Sequence, residues 1–307
     1  MLPTQSPSDS KRHLFIGSSF VLLAALGFSA KAVLIKLAYG YSNQLDAITL
    51  MALRMLMSLP IFVGVAIWHR KSNQNQALAL KEWLRILILG CLGYYLASYL
   101  DFTGLHYISA GLERVILFLY PTLVILFSAI IFKRPVTLRE VMALLFSYAG
   151  MLWVFQENIQ TASNDIFKGS ILVFSSAISF ALFLMGSSMM VKRIGSARFT
   201  AYSMTIACLA TLLHYVCAND LEALNLPGQV YGLAFLMAIF STVLPAFLMN
   251  AGIRRIGSGT ASMISSAGPI GTLLLAYIFL DEPLSWAQIT GTILVLIGVY
   301  VASQAKT

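Results

Sequence analysis

The sequence predicts an all-α polytopic membrane protein of ten transmembrane helices in two inverted five-helix repeats. Three observations predict it. Of 307 residues, 59% are hydrophobic and only 10% are charged, where soluble chains carry roughly 25% charged residues. Apolar runs long enough to cross a bilayer, about 20 residues each, recur from end to end. Finally, Gly104–Val154 lies on Gly252–Ala302 without a gap, at a spacing of 148 positions. Apolar matches between membrane segments are easily met by chance. Glycines and prolines in register are not, because each constrains the backbone. Here Gly104, Gly111, Pro121, Pro135 and Gly150 meet Gly252, Gly259, Pro269, Pro283 and Gly298.

Residues 1–13, rich in Ser and Pro, read as a short cytoplasmic tail. Lys11 and Arg12 before an apolar run resemble a signal-peptide start, but the run reaches Ala38 and reads as a retained first span. The ten expected spans are 14–38, 44–68, 84–106, 109–132, 136–155, 169–191, 198–217, 229–252, 258–280 and 285–303. Residues 14–155 then form the first repeat and 156–307 the second. The links are short, so neighbouring helices run antiparallel.

With both termini cytoplasmic, fifteen Lys and Arg fall in cytoplasmic segments and one, Lys168, in an outer loop. That alternation obeys the positive-inside rule at every loop. The formal charge of +8 is therefore a topology signal and not a nucleic-acid footprint. Five spans is an odd number, so the second copy enters from the opposite side. Such inverted repeats suit transport by alternating access, since two related halves can exchange inward- and outward-open forms. Cys91, Cys208 and Cys217 sit in or at the ends of apolar runs and read as packing residues. No zinc-protease, nucleophile-elbow, metal or phosphate-loop motif occurs, so neither an enzyme nor a cofactor is expected.

Several segments together carry a resemblance: FSAKAVLIKLA (28–38), LRM (53–55), SAGLERVILFLYPTLVIL (109–126), AGIRRIGSGTASM (251–263) and SSAGPIGTLLLAYIFLDEPLSWAQITGTILVLIGVYV (265–301). With the five-span repeat they resemble the drug/metabolite transporter superfamily, EamA type. The resemblance covers nearly the whole chain. It implies a carrier of small organic molecules, often an exporter, that works by alternating access around a central cavity. Glu282-Pro283 fits the family's acidic residue before the last span of each half, and Arg134-Pro135 departs from it.

Ionisable groups inside spans cost about 2.5–3.5 kcal/mol each on insertion scales and mark function by default. Lys31, Lys36, Arg54, Asp101, Glu113 and Arg114 all lie in the first half. Lys31 is the leading candidate, contacting an anionic substrate group or pairing with Glu113. Arg54 is a second basic candidate, and Lys36 is expected to snorkel outward. Glu113 and Arg114 are adjacent, hence about 100° apart on a helix, so one faces the cavity and the other a neighbour. Asp101 and Glu113 are the candidates for proton coupling or ion pairing. Tyr95 and Tyr99 share a helix face, and Tyr120 is too deep for an interfacial belt. These three and Ser266 complete the expected substrate contacts. Pro121 and Pro269 each free a backbone carbonyl at equivalent places, and with Gly268 they are the expected hinges.

The basic surplus points to an amino acid-like zwitterion or small organic anion as substrate, in the plasma membrane of a bacterium. The other function class weighed is a non-transporting scaffold or scramblase on a transporter fold. The partners expected are the small-molecule substrate and the lipid bilayer, with a monomer and a homodimer both open.

Overall fold

In the computed structural model, residues 7–70, 78–131, 133, 135–161, 165–265 and 268–304 are described. They are helical throughout apart from short links. In chain order the helices are α1 (Pro7–Tyr41), α2 (Ala47–Arg70), α3 (Leu80–Gly104), α4 (Ala110–Ile131) and α5 (Leu138–Thr161). Then come α6 (Asp165–Ile194), α7 (Ser196–Ala218) and α8, which runs from Gly228–Ala238 through a π turn at Ile239–Val243 into Leu244–Ser265. α9 (Gly268–Leu280) and α10 (Trp286–Gln304) close the chain. Among the described residues, eight helical segments are long and apolar enough to cross a membrane, and Gly268–Leu280 and Trp286–Val301 are shorter apolar helices. Large apolar side chains such as Leu145, Trp153, Leu213, Ile278 and Phe279 face outward around the bundle, as lipid contact requires.

Two boundaries differ from the sequence reading. α1 begins at Pro7, inside the expected tail, and proline is well placed in the first turn of a helix because its missing N–H would have had no partner there. The turn expected at 253–257 is helical instead, since α8 continues to Ser265. No proline lies between 246 and 268, and glycine alone lowers helix propensity by only about 1 kcal/mol.

The two halves repeat each other in irregularities as well as in helices. A π turn interrupts α3 at Cys91–Leu96 and α8 at Ile239–Val243, and 91 and 239 are 148 apart. The two non-glycine residues with positive φ among the described residues are Lys133 and Asp281, again 148 apart. α4 breaks at Phe118–Leu119 and resumes at Tyr120, and α9 starts at the equivalent Gly268.

Packing follows the same symmetry. α1 packs along α8 and α6 along α3; α2 pairs with α7, α5 with α10, and α4 with α9. Glycines make these approaches possible. A Cβ on Gly104 would meet Val173 at 2.5 Å and the Gly169 carbonyl at 3.0 Å, and one on Gly252 would meet Val21 at 2.4 Å and the Gly17 carbonyl at 3.1 Å. The principal core lies between α1, α2 and their neighbours around Leu50, Met51, Met55 and Phe102.

Candidate substrate site

Five of the six embedded ionisable side chains gather where α1, α2, α3 and α4 meet. Lys31 Nζ on α1 donates to Asp101 Oδ2 on α3 at 2.5 Å. The sequence alone had admitted Glu113 as its partner. Asp101 takes that place because it lies in the last turn of α3, opposite the C-terminal half of α1, where neighbouring contacts from Tyr39 to Phe102 and from Lys36 to Leu105 also form. Asp101 is 1% exposed and Glu113 fully buried. Neither oxygen of Glu113 has a hydrogen-bond partner, and neither does Asp101 Oδ1.

Arg54 on α2 is buried, with its guanidinium 4.7 Å over the Phe102 ring. Its Nε and Nη2 have no hydrogen-bond partner, and neither does Arg114 Nε. Arg114 turns away from Glu113, as adjacent helical positions must. It rests 5.8 Å over Phe118 and against Gly268, where a Cβ would lie 2.7 Å from its Nη2. Ser29 donates to the Gly268 carbonyl at 2.7 Å, and Thr272 to the Ser29 carbonyl at 3.2 Å. Gly268 and Pro269 are both buried there, so the expected hinge of the second repeat abuts the charged cluster of the first.

The remaining expected contacts are spread more widely. The Tyr95 hydroxyl is 2.9 Å from His214 Nδ1, and the Tyr99 ring meets His214 edge-on at 5.1 Å between centroids. Both tyrosines thus converge on α7, and His214 is a partner that the sequence had left isolated. Tyr120, beside Pro121, packs edge-on against Phe118 and Phe180. Ser266 lies outside the described residues. Lys36 Nζ donates to the Leu105 carbonyl at 3.1 Å in a part-buried position.

A further polar contact had no pairwise signal in the sequence. Both oxygens of Glu282 accept from the N-terminus of α4, at 2.9 Å from Ala110 N and 3.2 Å from Gly111 N, while the Ser109 side chain accepts from Leu112 N. A carboxylate on free helix N–H groups is favourable both as an acceptor and against the helix dipole. The contact ties the second repeat to the first. Ser285, which caps α10, donates to Glu157 of α5 at 2.5 Å and makes a second tie on the same side.

Among the described residues, ten helices in two matching halves, with a cluster of charges buried among apolar helices, define a multi-span membrane protein of the transporter class. The EamA-like transporter family matches twice, over residues 15–156 and 167–304, and the chain belongs to that family. It is a transporter and not an enzyme. It is 31% identical to the uncharacterized transporter YcbK of Bacillus subtilis (strain 168), over 91% of this chain and 90% of that one. It is 27% identical to the uncharacterized transporter YyaM of the same organism, over 92% and 93%. A solved chain described only as "Crystal structure of protein" superposes with a TM-score of 0.65 over 96% of this chain and 97% of its own, at 16% identity. That likeness concerns the fold alone.

Proposed function

We propose that this transporter moves a small organic metabolite, an amino acid-like zwitterion or organic anion, by alternating access around the Lys31–Arg54–Asp101–Glu113–Arg114 cluster. The observation that carries the reading is the pair of buried guanidinium groups with unpartnered N–H donors. A buried cation without acceptors is costly, and a carboxylate is the group that matches a guanidinium fork. Three bases and two acids leave a surplus of one positive charge when all are ionised, which favours a ligand that brings negative charge. Tyr95, Tyr99, Tyr120 and Ser266 stand as further substrate contacts, and Pro121, Gly268 and Pro269 as the hinge elements beside the site.

Export is the direction proposed, with both termini cytoplasmic in a bacterial plasma membrane. The Lys and Arg distribution supports that orientation. In it, the Glu282 and Ser285 ties lie on the outer side and hold that side closed. The repeat boundaries proposed are 14–155 and 156–307.

The test is a thermal-stability screen of the purified protein with amino acids, organic acids and lipophilic cations, repeated on Arg54→Gln. A ligand that binds the native state raises its apparent stability. Carboxylate-bearing solutes should stabilise the parent and not the variant, and should be taken up by proteoliposomes. A preference for lipophilic cations would overturn the reading.

A further inference from the structure

Gly268 is a glycine that its own backbone does not require. Among the described glycines only Gly195 has positive φ, so an alanine at 268 would meet no left-handed strain. What the position requires is space. A Cβ there would lie 2.7 Å from Nη2 of Arg114, and the next atoms it would meet, Ser29 Oγ and Arg114 Cζ, are at ordinary contact distances of 3.6 and 3.7 Å. The missing side chain makes room for the guanidinium and for nothing else at so short a range.

The backbone beneath the guanidinium is not free to step aside. Ser29 on α1 donates to the Gly268 carbonyl at 2.7 Å, and the Thr272 hydroxyl lies 3.3 Å from the same oxygen. A Cβ on Gly271 would lie 3.1 Å from Ser29 Oγ, so α9 already rests close on α1. Arg114 is the movable member, because its fork stands at the end of a long side chain. It is 8% exposed, and its Nε has no hydrogen-bond partner. A methyl group at 268 would therefore displace the guanidinium by about 0.7 Å, from 2.7 Å to the 3.4 Å at which ordinary contact begins. The spacing of 148 shows the same trade reversed. Arg114 and Gly268 have Ser262 and Tyr120 as counterparts, with the bulk on the other member of the pair.

We propose that Gly268 is a positioning residue: it fixes the place of the Arg114 guanidinium, and through it the preference of the site for a carboxylate over the neutral amide of the same solute. A guanidinium recognises a carboxylate through parallel N–H bonds to two oxygens. A carboxamide offers one oxygen and turns an N–H donor toward the other N–H, so it depends far less on where the fork stands. Such constellations tolerate offsets of only about 0.5 Å, less than the displacement a methyl group at 268 imposes. The carboxylate preference rests on the proposed function, whereas the placing of Arg114 does not.

The first test needs no substrate. Phenylglyoxal, an arginine-specific dicarbonyl, is applied to the purified protein, and modification of Arg114 and Arg54 is followed by peptide mass spectrometry. Gly268→Ala should raise the rate at Arg114 severalfold and leave that at Arg54 as in the parent. Thermal unfolding is then compared for Gly268→Ala, Arg114→Lys and the double variant. A lysine ends near the place of Cζ, 3.7 Å from the added Cβ, so in the Arg114→Lys background the alanine meets no clash and should raise Tm as a tolerated Gly→Ala change does. In the parent background the rise should be smaller or reversed. A glycine that served only as a hinge would respond alike in both backgrounds. Either an unchanged Arg114 rate or strictly additive Tm shifts would overturn the positioning. If Gly268→Ala does not fold, recovery in the Arg114→Lys background supports the positioning and failure in both overturns it. The second test uses the proteinogenic α-amino acids as probes, each beside its carboxamide. Gly268→Ala should weaken a stabilising acid about tenfold, the worth of one charge-assisted hydrogen bond, and its amide little. Equal losses for acid and amide would overturn the carboxylate preference. If no probe binds the parent, the proposed function falls and that preference with it, while the labelling still decides the placing of Arg114.

Discussion

Glu282→Ala should loosen the tie between the two repeats, and its cost can be worked from the contact. The carboxylate accepts two backbone N–H bonds at the start of α4, at 2.9 and 3.2 Å. Hydrogen bonds to a charged group contribute about 1.5–3 kcal/mol each, and the charge gains about 0.3–1 kcal/mol from the helix dipole. Glu282 is partly open to solvent, so water replaces part of what is lost and the lower end applies. The lower ends sum to about 3.3 kcal/mol, and with water recovering part of that the expected loss is about 2–3 kcal/mol for Ala and about 1 kcal/mol for Gln, which keeps one carbonyl acceptor. In a chain of this size each kcal/mol lowers Tm by about 2 °C. Thermal unfolding in detergent, followed by tryptophan fluorescence, should show a drop of about 4–6 °C for Ala and about 2 °C for Gln. A cysteine placed at Ser109, in a background without the native cysteines, should react faster with a maleimide when Glu282 is replaced. A Tm for the Ala variant within about 1 °C of the parent, with unchanged labelling, would refute the tie.

Lys31→Met leaves Asp101 buried without its cation and should cost about 3–5 kcal/mol. Adding Asp101→Asn should recover part of that, and strictly additive losses in the double-mutant cycle would show that the pair does not interact. Gly150→Ala forces a Cβ to within 2.5 Å of the Gly291 carbonyl and should destabilise the α5–α10 contact by about 1–3 kcal/mol. Gly64→Ala, with nothing within 4 Å, should be neutral or better in the same Tm measurement. His106 stacks on Tyr39 at 3.6 Å between centroids, and its imidazole is held below its ordinary value by partial desolvation and then by the Lys36 charge, with Asp46 opposing. The unfolded chain therefore binds this proton more readily, so its share of stability is present above the unfolded value of about 6.5 and falls as pH drops through it. His106→Asn should lose less Tm than the parent between about pH 8 and pH 5.5, and identical slopes would exclude the effect.

Much of this protein was legible before its structure because membrane spans announce themselves by length and composition. The constant spacing of 148 residues, carried by Gly104, Pro121, Pro135, Gly150 and their mates, determined the two-fold plan. The structure returned the same spacing in features that no residue type signals, the paired π turns and the positive-φ residues Lys133 and Asp281. The embedded charges were legible too, since ionisable groups are rare in apolar helices and stand out one by one. What the sequence could not settle was which of them touch. A partner depends on helix rotation, depth and crossing, and the π turn at Cys91–Leu96 changes the rotation of everything after it in α3. For that reason only the tertiary structure decided that Lys31 takes Asp101, that Tyr95 and Tyr99 turn to His214, and that Glu282 reaches 171 and 172 positions back to the start of α4. Composition determines that a charge must be neutralised in a membrane, and only the packing of the helices determines by what.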